Sequence, residues 1–483
     1  MGNYNGLKRK VVSGLFWKFA ERILAQGVSF VISLVLARLL SPQNYGTVAL
    51  VVVFINIANV FVSNGLGEAL IRKKDAGDLD FSTIFYCSFF LAGLLYLILY
   101  VLAPQIALVY KNVELIKYIR VLALQIPLSA IKTIQHSYVS KKMIFKKFFF
   151  STFGGTVISG IIGIVMAYKG LGVWAIIAQY LINSIIDMII LFITVPWRPK
   201  LLFDFTIAID LFRYGWKLTA ASLINAIYGE LRSLLIGKVY SEVDLGLYSK
   251  GNQFPSLIIS NINDSISSVL FPALSTAIDE ADKLKKMIRK AMQVSAFVIF
   301  PMMIGMIAVA ENMISVLLTD KWLECVPYLR LCCIFWMFQP IQTANIQALK
   351  AIGRSDICLK LEIVKKIIGF TLLIMSVRFG VYAIVMSNTL VGFISMILNI
   401  EPNRRIINYG YIEQIKDISP ALFHSIMMGI LIYFVGMMPF NRIIVLLLQI
   451  LTGVVIYSFS TVITKVEGQE YVINIIKGVR RKR

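Results

Sequence analysis

The chain has 483 residues, of which 58% are hydrophobic and 15% charged, against roughly 25% charged in an ordinary soluble domain. Its formal charge of +22 would suit nucleic acid if it were gathered on one domain, but the basic residues are spread over short loops. Composition leaves no room for a large soluble domain, argues against a nucleic-acid partner, and points to a protein that crosses a membrane many times.

Apolar stretches follow one another from end to end. Residues 84–103, 148–168, 291–310, 381–400 and 443–464 carry no acidic or basic side chain. Each can cross a hydrocarbon layer of roughly 30 Å as a helix. Lipid offers backbone groups no partners, so the segments must be helical. The pattern predicts about fourteen transmembrane helices. The first six lie at 12–39, 45–71, 81–103, 118–139, 148–168 and 173–195, followed by a loop at 196–213. Six more lie at 211–240, 247–271, 287–310, 327–349, 361–377 and 382–400, and a last pair at 418–436 and 442–464.

Basic residues concentrate in alternate loops: Lys8-Arg9-Lys10, Arg72-Lys73-Lys74, Lys141-Lys142 with Lys146-Lys147, Lys285-Lys286 with Arg289-Lys290, Arg404-Arg405 and Arg480-Arg481-Lys482-Arg483. The intervening loops carry only Lys111, Lys169, Lys321 and Arg378, a ratio of about five to one that predicts both termini in the cytoplasm. The same charges can hold anionic phospholipid headgroups. Lys8-Arg9-Lys10 ahead of an apolar run has the charge of a signal n-region, but no small-residue cleavage pattern follows, so no cleavable signal is expected. The five cysteines, Cys87, Cys325, Cys332, Cys333 and Cys358, have no metal-ligand spacing and imply no disulfide framework.

An internal repeat links the two halves. Leu36-Ala37-Arg38-Leu39-Leu40-Ser41-Pro42-Gln43-Asn44-Tyr45-Gly46 ends the first predicted helix, and Ile236-Gly237-Lys238-Val239-Tyr240-Ser241-Glu242-Val243-Asp244-Leu245-Gly246 ends the seventh. An even number of helices separates the copies, so both enter from one side. Such parallel repeats build two bundles around a cleft, with the substrate site at their interface.

These residues carry a family resemblance. The first-helix ending resembles that of the Wzx-type polysaccharide and O-antigen exporters, lipid-linked oligosaccharide flippases of the multidrug/oligosaccharidyl-lipid/polysaccharide (MOP) superfamily. Gly65-Leu66-Gly67-Glu68-Ala69-Leu70-Ile71 resembles that family's second-helix ending. Gly172-Val173-Trp174-Ala175, Pro196-Trp197-Arg198-Pro199, Gly246-Leu247-Tyr248-Ser249 and Leu270-Phe271-Pro272-Ala273-Leu274 are similar to its later signatures. The resemblance spans essentially the whole chain. It implies an all-α membrane fold with two pseudo-symmetric six-helix lobes, 1–195 and 214–400. The loop 196–213 lies between them, and two extra helices over 401–464 precede a basic tail, 465–483. The implied function is a non-enzymatic flippase for undecaprenyl-pyrophosphate-linked oligosaccharide in a bacterial plasma membrane. No cofactor is implied. A polysaccharide polymerase and glycosyltransferases are the candidate protein partners.

Ionisable residues inside spans are costly and become functional candidates. Lys18, Glu21, Arg22, Gln26, Ser29 and Ser33 fall on one stripe of the first helix. Ser222, Asn225, Tyr228 and Arg232 repeat the idea on the seventh, and Ser129, Lys132 and His136 on the fourth. Together they read as a cationic cleft for pyrophosphate, in which Lys18, Arg22, Lys132 and Arg232 bind the substrate and Arg22 and Arg232 lie on facing walls. Arginine grips phosphate oxygens in a fork, and lysine acts as a point charge. Lys18 can instead snorkel to the interface, as can Lys365 and Lys366. His136 and His424 read as packing residues. Coupling to a proton or sodium gradient needs a carboxylate, for which Glu21 and Asp264 are the candidates; either can equally pair with a nearby cation.

Rival functions fit less well. A drug/cation antiporter of the same superfamily needs a less cationic cleft. A membrane polymerase or ligase needs a large external loop, and the longest here, 311–325, is short. The Asp78-Leu79-Asp80 string lacks a nucleotide-binding domain beside it, and there is no P-loop.

Overall fold

The computed structural model describes residues 2–63, 67, 70, 71, 73, 75–277 and 280–471; for 2–16, 18–20, 22, 214 and 281 it describes backbone alone. Every regular element among the described residues is helical, so the protein is an all-α membrane protein. Among the described residues, nine helices are long and apolar enough to cross a membrane, and the apolar run Ile23–Leu39 adds a shorter one. Contacts divide the chain into two compact units, Met1–Gly246 and Leu247–Arg483.

The first unit contains α1 (Gly2–Leu39), α2 (Pro42–Ser63), α3 (Asp78–Tyr110), α4 (Leu115–Leu122), α5 (Gln125–Lys142), α6 (Lys146–Tyr168), α7 (Val173–Thr194) and α8 (Phe205–Val239), and it takes in the start of α9 (Glu242–Ser275). Between helices in lipid there is little hydrophobic gain, so close approach through small residues drives packing. The α6 seam shows this, with Ser151, Gly155, Thr156, Ser159, Gly163 and Ala167 buried. A Cβ on Gly155 would sit 3.1 Å from the Asn183 carbonyl oxygen of α7. α1 packs along α6, and α8 packs on α2 and α3.

The loop expected at 196–213 is shorter than that. Phe205 already starts α8, because the Asp204 carboxylate caps it, accepting from the backbone N–H groups of Thr206 at 2.7 Å and Ile207 at 3.1 Å. The remaining strap is pinned to the bundle. Trp197 is buried, its ring 5.6 Å from that of Phe81. Lys200 N–H donates to Ser82 Oγ at 3.0 Å, and the Lys200 ammonium pairs with Asp78 at 2.6 Å. Asp80, the other end of the Asp78-Leu79-Asp80 string, accepts from Lys73 at 2.5 Å and from Gly77 N–H at 2.9 Å. The string is structural.

The second unit contains the rest of α9 and then α10 (Ala281–Leu318), a 3-10 turn (Asp320–Cys325), α11 (Val326–Met337), α12 (Gln339–Ala351), α13 (Ser355–Ser376), α14 (Val381–Ile407), α15 (Tyr411–Val435) and α16 (Arg442–Ile463). α10 lies along α15, which pairs with α16. Trp322 in the 3-10 turn is fully buried, which closes the 311–325 connection onto the bundle.

Two expected spans are broken. Residues 118–139 are divided between α4 and α5, and residues 327–349 between α11 and α12. Pro127 and Pro340 each follow the break, in the first turn of the new helix, where a missing N–H leaves no intrahelical bond unmade. The repeat thus reaches beyond the first and seventh helices. It also covers the starts of α7 and α14, where Gly172-Val173-Trp174-Ala175-Ile176 matches Gly380-Val381-Tyr382-Ala383-Ile384. Gly172 and Gly380 stand at φ +52° and +97°, a region that glycine enters without a Cβ penalty.

Candidate functional site

Within the first unit, α2 and α5 form the walls of a cavity of about 450 Å³. α5 presents one face to it, carrying Ser129, Lys132, Thr133, His136, Ser137 and Ser140, while Ile126, Ala130 and Ile134 are buried. This is the polar stripe expected on the fourth span. α2 contributes Asn59 and Ser63, and Gly67 and Ile71 follow in the chain. The walls approach closely at Gly67, where Ser137 Oγ donates to the Gly67 carbonyl at 3.3 Å and a Cβ would come within 2.9 Å of that hydroxyl. Asn59 and Ser63 are small polar residues at helical spacing, and since neither carries a charge nothing in the sequence sets them apart from other polar positions of a span.

Lys132 does not face the cavity alone. Its ammonium lies 3.3 Å from Asp187 Oδ2 on α7, with side-chain exposures of 20% and 10%. Asp187 Oδ1 is buried with no hydrogen-bond partner, so the carboxylate is held by one cation through one oxygen. Of the described lining, Lys132 is the one permanently charged cation, and Asp187 balances it. The cavity can therefore bind an anion only if that anion competes with Asp187 or brings its own cation. His136 stacks on Phe148 with ring centroids 4.4 Å apart.

Arg232 lies on α8. Glu230 accepts from Asn56 Nδ2 at 3.0 Å and the Leu234 carbonyl accepts from Tyr110 Oη at 3.3 Å, so that side of α8 is committed to α2 and α3. Arg232, two residues from each, points to the other side of the helix. It is 7% exposed, its Nε has no hydrogen-bond partner, and the Tyr228 ring centroid is 5.8 Å from the guanidinium. The side chains of Lys18 and Arg22, the other two expected phosphate ligands, lie outside the described residues. Glu21 accepts from Thr152 Oγ1 at 3.1 Å, tying α1 to α6. Asp264 is exposed on α9. Among the described residues no group of three or more His, Cys, Asp or Glu is placed to hold a metal ion.

The comparisons with known proteins agree with this architecture. Residues 35–327, more than half of the chain, match the family described as polysaccharide biosynthesis protein. The chain is 24% identical over 401 residues to the lipopolysaccharide biosynthesis protein WzxC of Escherichia coli K12, covering 81% of this chain and 80% of that protein. It is 27% identical over 309 residues to the teichuronic acid biosynthesis protein TuaB of Bacillus subtilis 168, covering 62% of each. In fold it is similar to the lipid II flippase MurJ in an inward closed conformation, with a TM-score of 0.74 at 17% identity over 94% of this chain and 98% of that one. An inward-facing multidrug transporter of the MOP superfamily aligns with a TM-score of 0.63 at 16% identity over 80% of this chain and 98% of that one. The protein is thus a multi-pass membrane protein with a MOP-type fold, and it belongs to the polysaccharide biosynthesis protein family.

Proposed function

We propose that this protein is a flippase that carries undecaprenyl-pyrophosphate-linked oligosaccharide across a bacterial plasma membrane for surface polysaccharide synthesis. Both termini are cytoplasmic in this reading. Family membership and the names of the relatives support the pathway. The mechanistic part is carried by Arg232, a buried guanidinium whose Nε has no partner. A buried charge needs compensation, and a pyrophosphate oxygen supplies it with a charge-assisted hydrogen bond.

In this mechanism Lys18, Arg22, Lys132 and Arg232 bind the pyrophosphate, and alternating access moves it from one face to the other. The substrate displaces Asp187 from Lys132. The hydroxyls of Ser129 and Ser63 face the α2–α5 cavity beside Lys132, which Arg232 does not line, and suit a sugar–phosphate, whose oxygens and hydroxyls need both donors and acceptors. Glu21 and Asp264 remain the carboxylates through which a proton or sodium gradient drives the cycle. The test is export by a strain lacking the chromosomal gene and carrying Arg232→Ala. Surface polymer should fall sharply while lipid-linked repeat units accumulate on the cytoplasmic side. Normal polymer with normal protein abundance would rule out the phosphate-binding role of Arg232.

A further inference from the structure

The second unit holds a polar cavity that the export mechanism does not use. It measures about 360 Å³ and lies between α10, α15 and the chain that follows α16. Its charges are mixed. Asp417 accepts from Arg289 Nε at 2.8 Å, from Gln293 Nε2 at 3.2 Å and from Tyr409 Oη at 2.7 Å. Glu467 accepts from Gln293 Nε2 at 2.8 Å and lies 3.6 Å from the Arg289 guanidinium, with 55% of its side chain exposed. Lys416 and Lys465 also line the cavity, and among the described residues neither ammonium has an ion-pair or hydrogen-bond partner.

Two buried acceptors narrow the chemistry of an occupant. Gln293 is 5% exposed, and its Oε1 has no partner. His424 is 6% exposed, with Nε2 at 2.9 Å from Thr464 Oγ1. The Thr464 hydroxyl donates to the Ser460 carbonyl at 2.9 Å, so the neutral His424 ring donates through Nε2 and leaves Nδ1 as a lone-pair acceptor. Nδ1 has no partner either. A bare phosphate would leave both acceptors unmet and would face two carboxylates. A phosphate joined to an ammonium group answers every group at once.

We propose that this cavity binds the phosphoethanolamine headgroup of a zwitterionic membrane phospholipid. The ammonium group pairs with Glu467 and draws toward it Gln293 Oε1 and His424 Nδ1, which are covered until a side-chain rotation opens them, and the phosphate lies between Lys416 and Lys465. A lipid is favoured over a soluble ester because α10 and α15, which line the cavity, also carry with α16 an apolar groove lined by Pro301, Met428, Gly453 and Tyr457. The site is separate from the α2–α5 cavity and does not depend on what the protein transports.

The test is native mass spectrometry of the full chain in mild detergent, titrated with phosphatidylethanolamine, phosphatidylglycerol, O-phosphoethanolamine or inorganic phosphate. Phosphatidylethanolamine should be retained in preference to phosphatidylglycerol. Lys416→Ala with Lys465→Ala should lower its retention about tenfold, and Gln293→Met should erase the preference between the two lipids. Lys350→Ala with Lys360→Ala, exposed lysines elsewhere in the unit, should change neither. If the double alanine variant fails to fold, Lys465→Ala alone reads the phosphate half. Equal retention of the two lipids, a preference for phosphatidylglycerol, or no loss in the lysine variants would overturn the proposal. So would a cavity that retains no lipid and holds water only. Competition by O-phosphoethanolamine as strong as that by the lipid would overturn the assignment to a membrane lipid.

Discussion

Gly46 and Gly246 meet where the two copies of the internal repeat cross. A Cβ on Gly46 would fall 1.6 Å from the Glu242 carbonyl oxygen, and one on Gly246 would fall 2.0 Å from the Pro42 carbonyl oxygen. The contact is reciprocal, because Pro42 and Glu242 open α2 and α9 at matching positions of the repeat. The crossing is reinforced where Glu242 accepts from Thr47 Oγ1 at 2.5 Å and from Asn112 Nδ2 at 2.6 Å. The repeat signature read in the sequence is thus also a packing requirement, since only glycine lets two backbones touch.

Gly46→Ala and Gly246→Ala should each destabilise the protein by about 1–3 kcal/mol, the usual cost of overpacking, and by more if the backbones cannot separate. Gly229→Ala, where a Cβ would meet nothing within 4 Å, should be neutral or stabilising by roughly 0.5–1 kcal/mol, since alanine favours the helix. Thermal unfolding in detergent distinguishes them. Equal melting temperatures for all three variants would contradict the crossing.

Lys132 and Asp187 should behave as a pair. Asp187→Leu or Lys132→Met alone leaves a buried charge without its partner and should cost roughly 3–5 kcal/mol of stability. The double variant should recover much of that loss while export remains absent, because the cavity then has no cation. A double variant that exports polymer normally would make the pair purely structural.

Arg22→Ala and Arg232→Ala should each weaken substrate binding by roughly 2–5 kcal/mol, by analogy with truncating one partner of a buried charge pair. Lysine at either position should rescue export only in part, because a point charge cannot reproduce the guanidinium fork. Lys482→Ala, in the basic tail, is the matched control for charge removal. The readout is surface polymer normalised to protein abundance.

Leu201 projects from the strap after α7 with 94% exposure. A Leu201→Cys variant in a background without other cysteines should react with an impermeant maleimide in inside-out vesicles and stay unlabelled in intact spheroplasts. Labelling from outside would reverse the topology inferred from the basic loops.

The Asp204 cap predicts a pH dependence. Hydrogen bonds from the Ile207 and Thr206 backbone N–H groups hold its carboxyl below the ordinary carboxylate range. The group is depressed in the folded state, so its contribution is present above the unfolded value of about 4 and is lost as pH falls through the lowered value. Wild type should unfold at a higher temperature than Asp204→Ala at about pH 6, and the gap should narrow toward about pH 3. A gap that stays constant over that range would show that the carboxylate is not the cap.

Hydropathy and the recurring Ser–Gly motif are enough to identify an all-α membrane protein with a repeated architecture. Lipid forces every span to satisfy its own backbone, so hydropathy alone reveals helices, and the Ser–Gly turns after the first and seventh helices are short and local. The polar stripe through Ser129, Lys132 and His136 was legible for the same reason, since spacing on one helix fixes which residues share a face. The folded structure was needed to show that Lys132 is neutralised by Asp187, that the 118–139 and 327–349 spans break into two helices each, that Asp204 starts α8 early, and that the buried His424 also lines a polar cavity. The Lys132–Asp187 pair and the cavity beside His424 depend on partners from different helices, and hydropathy carries no record of which helices meet. The Asp204 cap and the breaks at Pro127 and Pro340 are local polar and backbone effects, to which hydropathy is blind.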